Sequence, residues 1–230
     1  MSIPATILRR GAPGDAIAGA RIAFEAFRTI ATRHGFPPDF PSPEVAEGLL
    51  SDLLSRSDIH AIVAERDGRL VGSNFLWETD ATAGVGPITV DPDAQGDAIG
   101  RALMEAVLRR ASERGFKGVR LVQAAYHNRS LSLYTKLGFD VREPLSMLQG
   151  AALGVSLPGR DVRPALLEDL PACRALGTDV LGEHRINELR GALDRAARRW
   201  SSMPAVSPAT RPASASSGTR PRGTTTTSRR

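Results

Sequence analysis

The sequence predicts an α/β fold: a mixed, mostly antiparallel sheet flanked by helices. Short apolar, strand-like runs alternate with segments whose apolar residues recur at helical spacing. One pair of strands is joined by Arg66-Asp67-Gly68-Arg69, whose Asp-Gly centre is a hairpin turn signal. At 230 residues and 41% hydrophobic, the chain has material for one full core and part of another.

Thr6 to Arg10 form the first expected strand, and Gly11-Ala12-Pro13-Gly14-Asp15 a turn with Asp15 placed to cap a helix. Ile17, Ala20, Phe24, Phe27 and Ile30 then mark one apolar helical face. His34 to Pro41 break that helix, and Ser42-Pro43-Glu44-Val45 open another with Ser at the cap and Pro in the first turn. Ala61 to Glu65 and Leu70 to Glu78 are the arms of the hairpin, which leads toward a strand at Ile88 to Val90.

That strand is stopped by Asp91-Pro92, a glycine-bearing turn follows, and Ile99, Leu103, Ala106 and Val107 resume helical spacing. A glycine-bearing loop entering a helix N-terminus gathers unpaired N–H groups at the positive end of the helix dipole, which suits a phosphate. Spacing alone leaves a second reading open, a helix merely packed tightly on a strand. The loop is not a P-loop, because no Lys-Ser/Thr follows it, and it lacks the Gly-x-Gly-x-x-Gly dinucleotide pattern. Further expected elements are a helix to about Gly115, a strand at Val119 to Ala125, a short helix at Ser130 to Leu137 ended by Gly138, and a strand starting at Phe139-Asp140-Val141.

Gln95-x-x-Ala98-x-Gly100-Arg101-Ala102-Leu103-Met104 after Ile88-Thr89-Val90-Asp91-Pro92, followed by Asn128 to Phe139 with Tyr134 inside, resembles the GNAT family of acetyl-CoA-dependent N-acetyltransferases over roughly residues 5 to 150. The resemblance implies an acetyl-CoA co-substrate, a small-molecule or peptide amine acceptor, and direct attack of a primary amine on the thioester. It implies that main-chain N–H groups of Ile88, Thr89 and Val90 hold the acyl carbonyl. The loop Gln95, Gly96, Asp97, Ala98, Ile99, Gly100 and Arg101 would take the pyrophosphate. His34, Phe36 and Phe40 would then fall near the acceptor pocket, with a surface loop the alternative for His34. Two positions depart from the family pattern: Ala98 stands where a glycine is usual, and Asp97 sets a carboxylate beside two phosphates.

Tyr134 falls where the family's tyrosine faces the thioester sulfur, as general acid for the thiolate, or else it is a packed aromatic. Asn128 would bond the pantetheine arm or the helix start. Glu78 is the candidate general base, acting through water from a strand end, with plain solvation the alternative. The rival functional class is a catalytically weak acyl-CoA-binding or interaction module, motivated by Asp97, Ala98 and an incomplete second domain at 161–200.

The one cysteine, Cys173, excludes an internal disulfide framework and a Cys-rich metal site, and no metal is expected. No apolar run reaches the ~18 residues of a membrane span and no signal pattern opens the chain, so the expected location is cytoplasmic. The net charge of +5 invites a nucleic-acid partner, but Arg211, Arg220, Arg222, Arg229 and Arg230 in a tail without acidic residues supply all of it. Nucleic acid is therefore an unlikely partner.

Beyond a domain at 1–150 and a Gly- and Ala-rich linker at 151–160, Val162-Arg163-Pro164 and Asp169-Leu170-Pro171-Ala172 repeat the start of the chain at a shared offset of 154. A partial second copy is expected at 161–200, like the tandem arrangement of some GNAT proteins, and an exposed face where it stops predicts a possible homodimer. Residues 201–230 have the composition of a disordered tail. Read in another frame with G/C-rich codons, Ala209 to Arg220 yields an apolar string. A one-nucleotide frame change near residue 200 is the matching expectation, which sequencing of the gene tests.

Overall fold

The computed structural model describes residues 5–148, 150, 158–159 and 162–201. Apart from Ser201 the expected tail lies outside these residues, as does most of the expected linker.

Strand β1 (Ile7–Arg10) pairs antiparallel with β2 (Ile59–Arg66), and β2 with β3 (Arg69–Trp77) through the expected two-residue turn, where Asp67 and Gly68 take positive φ. On the far side of β3 lie two short strands, β4 (Thr82–Val85) at one end and β5 (Thr89–Val90) at the other. β4 also pairs in parallel with β6 (Gly118–Arg120), which gives the sheet order β1-β2-β3-β4-β6 with β5 joined to β3 alone. The sheet is mixed and mostly antiparallel, as the sequence predicts.

Period-two burial gives the sheet two covered faces. Ile59, Ala61 and Phe75 pack under α1 (Ala16–Arg33) and α2 (Pro43–Ser55). Ile62, Ala64 and Leu76 pack under α3 (Ile99–Glu113), where Tyr134 of α4 (Asn128–Lys136) joins the cluster. α1 approaches its partners closely because Ala16, Gly19, Ala20 and Ala23 form its buried side. Ile17, expected in the core, is 71% exposed.

Three local expectations differ. Asp15 makes no side-chain bond into α1; its carboxylate accepts from the Ala12 N–H and clasps Arg9 at 2.8 Å. Ser42 precedes α2 without a side-chain cap bond. The strand expected at 119–125 is only three residues long, and residues 139–141 pair with nothing among the described residues.

The C-terminal segment holds α5 (Leu170–Leu181) and α6 (Ile186–Ser201). The clasp at its start repeats that at the first helix. Arg163 Nη1 and Nη2 bond the two Asp169 oxygens, as Arg9 bonds Asp15, and the Leu166 N–H donates to Asp169 as Ala12 does to Asp15. A short 3-10 turn precedes each helix, at Pro13–Asp15 and Leu167–Asp169.

The segment is tied to the sheet through Asp80. This buried carboxylate accepts from the first-turn N–H groups of Asn187 and Glu188, capping α6 from a distant part of the chain. Asn187 also donates to the Thr79 carbonyl, and Arg120 pairs with Glu183. No described helix is long and apolar enough to cross a membrane.

Candidate functional site

β4 and β5 together are one strand broken by a bulge at Gly86 to Ile88. Leu76 opposes Val85 and Ser73 opposes Thr89, so the segment between β4 and β5 carries one residue more than the facing stretch of β3. The Gly86–Pro87 peptide is cis, the Gly86 N–H donates to the Phe75 carbonyl, and Trp77 Nε1 donates to the Gly86 carbonyl at 2.7 Å. Buried Asn74 satisfies the backbone here: its Oδ1 accepts the Phe75 N–H, and its Nδ2 reaches the Leu103 carbonyl.

The bulge has a topological consequence. β4 stays paired with β6, while β5 turns its second edge away unpaired among the described residues. The Asp91 N–H bonds the Val71 carbonyl, and Thr89 opposes Ser73 two residues earlier in the ladder. By the alternation of an antiparallel ladder, Thr89 faces β3, whereas the amides of Ile88 and Val90 face the open edge. Two of the three expected amide donors therefore point outward. The Thr89 side chain meets Ser73 Oγ at 3.0 Å inside the sheet.

The loop after β5 is built on left-handed backbone. Gly96 sits at φ +113°, and Ala98, the N-cap of α3, at φ +60°, a region costly for a residue with a Cβ. The amides from Gly96 to Arg101 donate to no acceptor among the described residues. They lie at the positive end of a 15-residue helix. Asp97 does not stand alone before them, because its carboxylate meets Arg66 Nη1 at 2.6 Å, and Arg66 also bonds Thr6. The repulsion expected from Asp97 is thus countered within the protein. Gln95 bridges the loop: its Nε2 donates to the Val90 carbonyl and its Oε1 accepts from Arg129. Arg101 extends to Glu105 on its own helix.

α4 closes the other side. A Cβ placed on Gly100 would lie 3.7 Å from both Val90 and Leu133, so loop, β5 and α4 converge there. Tyr134 is 7% exposed and packs against Phe139 at 5.9 Å. Burial raises its phenol pKa, and the Ser130 hydroxyl works against that rise. The helix start belongs to His127, whose Nδ1 accepts the Ser130 N–H and lies 2.9 Å from Ser130 Oγ, while Asn128 is exposed.

Glu78 is not in this constellation. Its half-hidden carboxylate meets Arg110 at 2.7 Å and Arg114 at 3.6 Å, on the far half of α3 from the loop. Burial would raise its pKa, but Arg110, His60 and Arg114 outweigh that and hold it below the usual carboxylate range. A carboxylate so paired is a poor base.

The unexpected member is Tyr126. It stacks with Phe36 at 4.6 Å and His34 at 5.2 Å, so the connection between α1 and α2 closes onto the segment that leads into α4. Phe40 pairs with Phe27 instead. Arg129, missed with Tyr126 and His127, is the cation nearest the loop glycine, 4.0 Å from a Cβ placed on Gly96.

A family model for the acetyltransferase (GNAT) family matches residues 24–139, half of the chain and the whole of this constellation. The chain belongs to that family. Curated relatives include an IAA acetyltransferase of Azospirillum brasilense, 34% identical over 40% of this chain and 61% of that protein. A mycothiol acetyltransferase of Thermomonospora curvata is 36% identical over 42% of this chain and 35% of that protein. The matched part thus spans less than two thirds of either relative. Among solved structures, the PaiA N-acetyltransferase of Thermoplasma acidophilum, in complex with coenzyme A, aligns over 61% of this chain and 92% of its own with TM-score 0.54 and 18% identity. That likeness establishes the GNAT fold.

Proposed function

We propose that residues 1–150 transfer an acetyl or other short acyl group from acyl-CoA to a primary amine. One observation carries this reading: a broken strand leaves an open edge beside a left-handed loop whose six successive amides, Gly96 to Arg101, have no protein acceptor among the described residues. Such a cradle fits a pyrophosphate. Gln123 fits too, since its buried Oε1 has no donor among the described residues and would accept an N–H of the bound arm.

The co-substrate supplies an activated thioester. The Val90 and Ile88 amides hold the carbonyl oxygen where negative charge develops, Arg129 adds a cation at the loop, and buried Tyr134 keeps a proton for the departing thiolate. The acceptor lies against Tyr126 and Phe36. Because Glu78 is held by two arginines, the amine loses its proton to water and attacks directly.

We also read residues 162–201 as the start of a second copy of the same fold, supported by the repeated Arg–Asp clasp. The mycothiol acetyltransferases match over a minor part of their length, 49% in Tsukamurella paurometabola, which is consistent with relatives larger than one such domain. The Arg66–Asp97 pair removes one of the three motives for a merely CoA-binding module.

Calorimetric titration with acetyl-CoA tests the site. Saturable binding by the native chain, weakened about tenfold in Arg129→Ala and intact in Tyr134→Phe, is expected, since a charge-assisted contact contributes about 1.5–3 kcal/mol. Absence of binding in all three sinks the proposal.

A further inference from the structure

The broken strand is anchored to β3 on both sides of its bulge and on neither residue inside it. Past the bulge, the Asp91 N–H bonds the Val71 carbonyl at 2.9 Å and Thr89 opposes Ser73. Before it, the Gly86 N–H bonds the Phe75 carbonyl at 2.9 Å. Between them Pro87 has no N–H to give, and Ile88 makes no backbone bond among the described residues.

The near side is completed by a side chain. Trp77 Nε1 donates to the Gly86 carbonyl at 2.7 Å, at the peptide that leads into Pro87. The indole can lie across β4 because its ladder partner there is Gly84, where a Cβ alone would already touch Trp77 at 3.4 Å. The Arg56 guanidinium covers the ring, 4.8 Å from its centroid, and two bonds to Asp58, at 2.9 and 2.8 Å, fix that guanidinium in turn. Water could satisfy a half-buried carbonyl, but only a fixed donor can also fix its place.

We propose that Trp77 is a positioning residue for acyl transfer: by fixing the Gly86 carbonyl it sets where the Ile88 amide, two residues on, meets the thioester oxygen. The inference rests on the reading that the Ile88 and Val90 amides hold that oxygen. When the amine nitrogen bonds the carbonyl carbon, an electron pair moves onto the oxygen. It returns as the C–S bond breaks with its pair on sulfur, which Tyr134 protonates, and the nitrogen's proton leaves to water. Donors to the oxygen matter most between those two events. A shift at Gly86 passes to Ile88 because nothing on β3 holds residues 87 and 88, whereas Val90 and the amides from Gly96 to Arg101 lie beyond the second anchor.

Acetyl-CoA labelled with 13C at the thioester carbonyl reads that contact in the full-length chain, since a hydrogen bond to the oxygen lowers the C=O stretch in difference infrared spectra. The native chain should shift the band down on binding. Trp77→Phe, which keeps a ring beneath Arg56 but has no N–H, should return part of that shift. With the fastest amine of a primary-amine panel its kcat should fall about tenfold, short of the roughly hundredfold or greater cost of losing a whole oxyanion donor. Its acetyl-CoA affinity by calorimetry should stay unchanged.

A band shift fully retained in Trp77→Phe ends the proposal whatever kcat does, and so does an unchanged kcat. If Trp77→Phe does not fold, benzothienylalanine incorporated for tryptophan in a Trp200→Phe chain, which keeps the indole's shape without its N–H, is held to the same outcomes. A native chain that binds acetyl-CoA without shifting the band instead removes the amide reading on which the inference rests.

Discussion

The first helix and the first helix of the C-terminal segment begin with the same device and end in different surroundings. Arg9–Asp15 and Arg163–Asp169 are bidentate clasps of the same geometry, six residues apart in each case, and each leads through a 3-10 turn into a helix. Yet Ile22 in α1 is 2% exposed, and its counterpart Leu176 in α5 is 63% exposed. Local hydrogen bonding therefore writes the clasp without help from a sheet. Burial needs a sheet, and among the described residues only the first of the two helices lies against one.

The largest test of that difference is a matched pair. Ile22→Ala should cost about 2–5 kcal/mol, whereas Leu176→Ala should stay within about 0.5 kcal/mol by chemical denaturation. Comparable losses would mean that α5 is covered in solution, which would favour self-association. Next is Asp80→Ala, which removes the carboxylate that caps α6 from the sheet region. A loss of about 1–2 kcal/mol is expected, read by hydrogen exchange as faster amides at 187–189 with α1 to α3 unchanged. If exchange rises uniformly, the two regions open as one.

A smaller effect compares two left-handed helix ends. Gly182 ends α5 at φ +72° without penalty, while Ala98 starts α3 at φ +60°. Ala98→Gly should stabilise the chain by about 1 kcal/mol, and Gly182→Ala should destabilise by a similar amount, both by thermal melting. Equal and opposite signs confirm that backbone conformation, not packing, sets both.

The finest test is titration of the clasps. Asp15 titrates below the ordinary aspartate value because Arg9 bonds it, and Asp169 near pH 2 because Arg163 does. A folded pKa below the unfolded one gives stability that is present above about pH 4 and lost as pH falls toward the folded value. Arg163→Ala should raise the Asp169 pKa toward the ordinary aspartate value by carboxyl 13C NMR, the Leu166 N–H still holding it somewhat low, and leave Asp15 unmoved. Movement of both would couple the two clasps.

The parts of the site that were legible in the sequence are local ones. The strand, the loop Gln95 to Arg101 and the helix it enters follow from Asp91-Pro92, Gly96 and the spacing of Ile99, Leu103 and Val107, all within one turn or two. What sequence reasoning missed depends on distant partners. Glu78 resembled a free strand-end carboxylate until Arg110 and Arg114 met it, and Asp97 resembled an unscreened charge until Arg66 did. Tyr126 gains its place from His34 and Phe36, about ninety residues earlier. At α4 cap preference favoured Asn128 over His127 and misplaced the cap by one residue.

The sequence by itself determined the order and kind of most elements, the loop that enters α3, and the recurrence of Arg9 and Asp15 as Arg163 and Asp169. Each depends on periodicity or on partners within a few residues, where chain connectivity already holds the groups together. Tertiary structure alone decided that one strand splits at Gly86 to Ile88 into a paired half and an open half. It alone decided that the Glu78 and Asp97 carboxylates are neutralised and that Asp80 caps a helix more than a hundred residues away. Those outcomes need groups from separate segments to be desolvated against one another, and that energy exists only once the sheet has assembled.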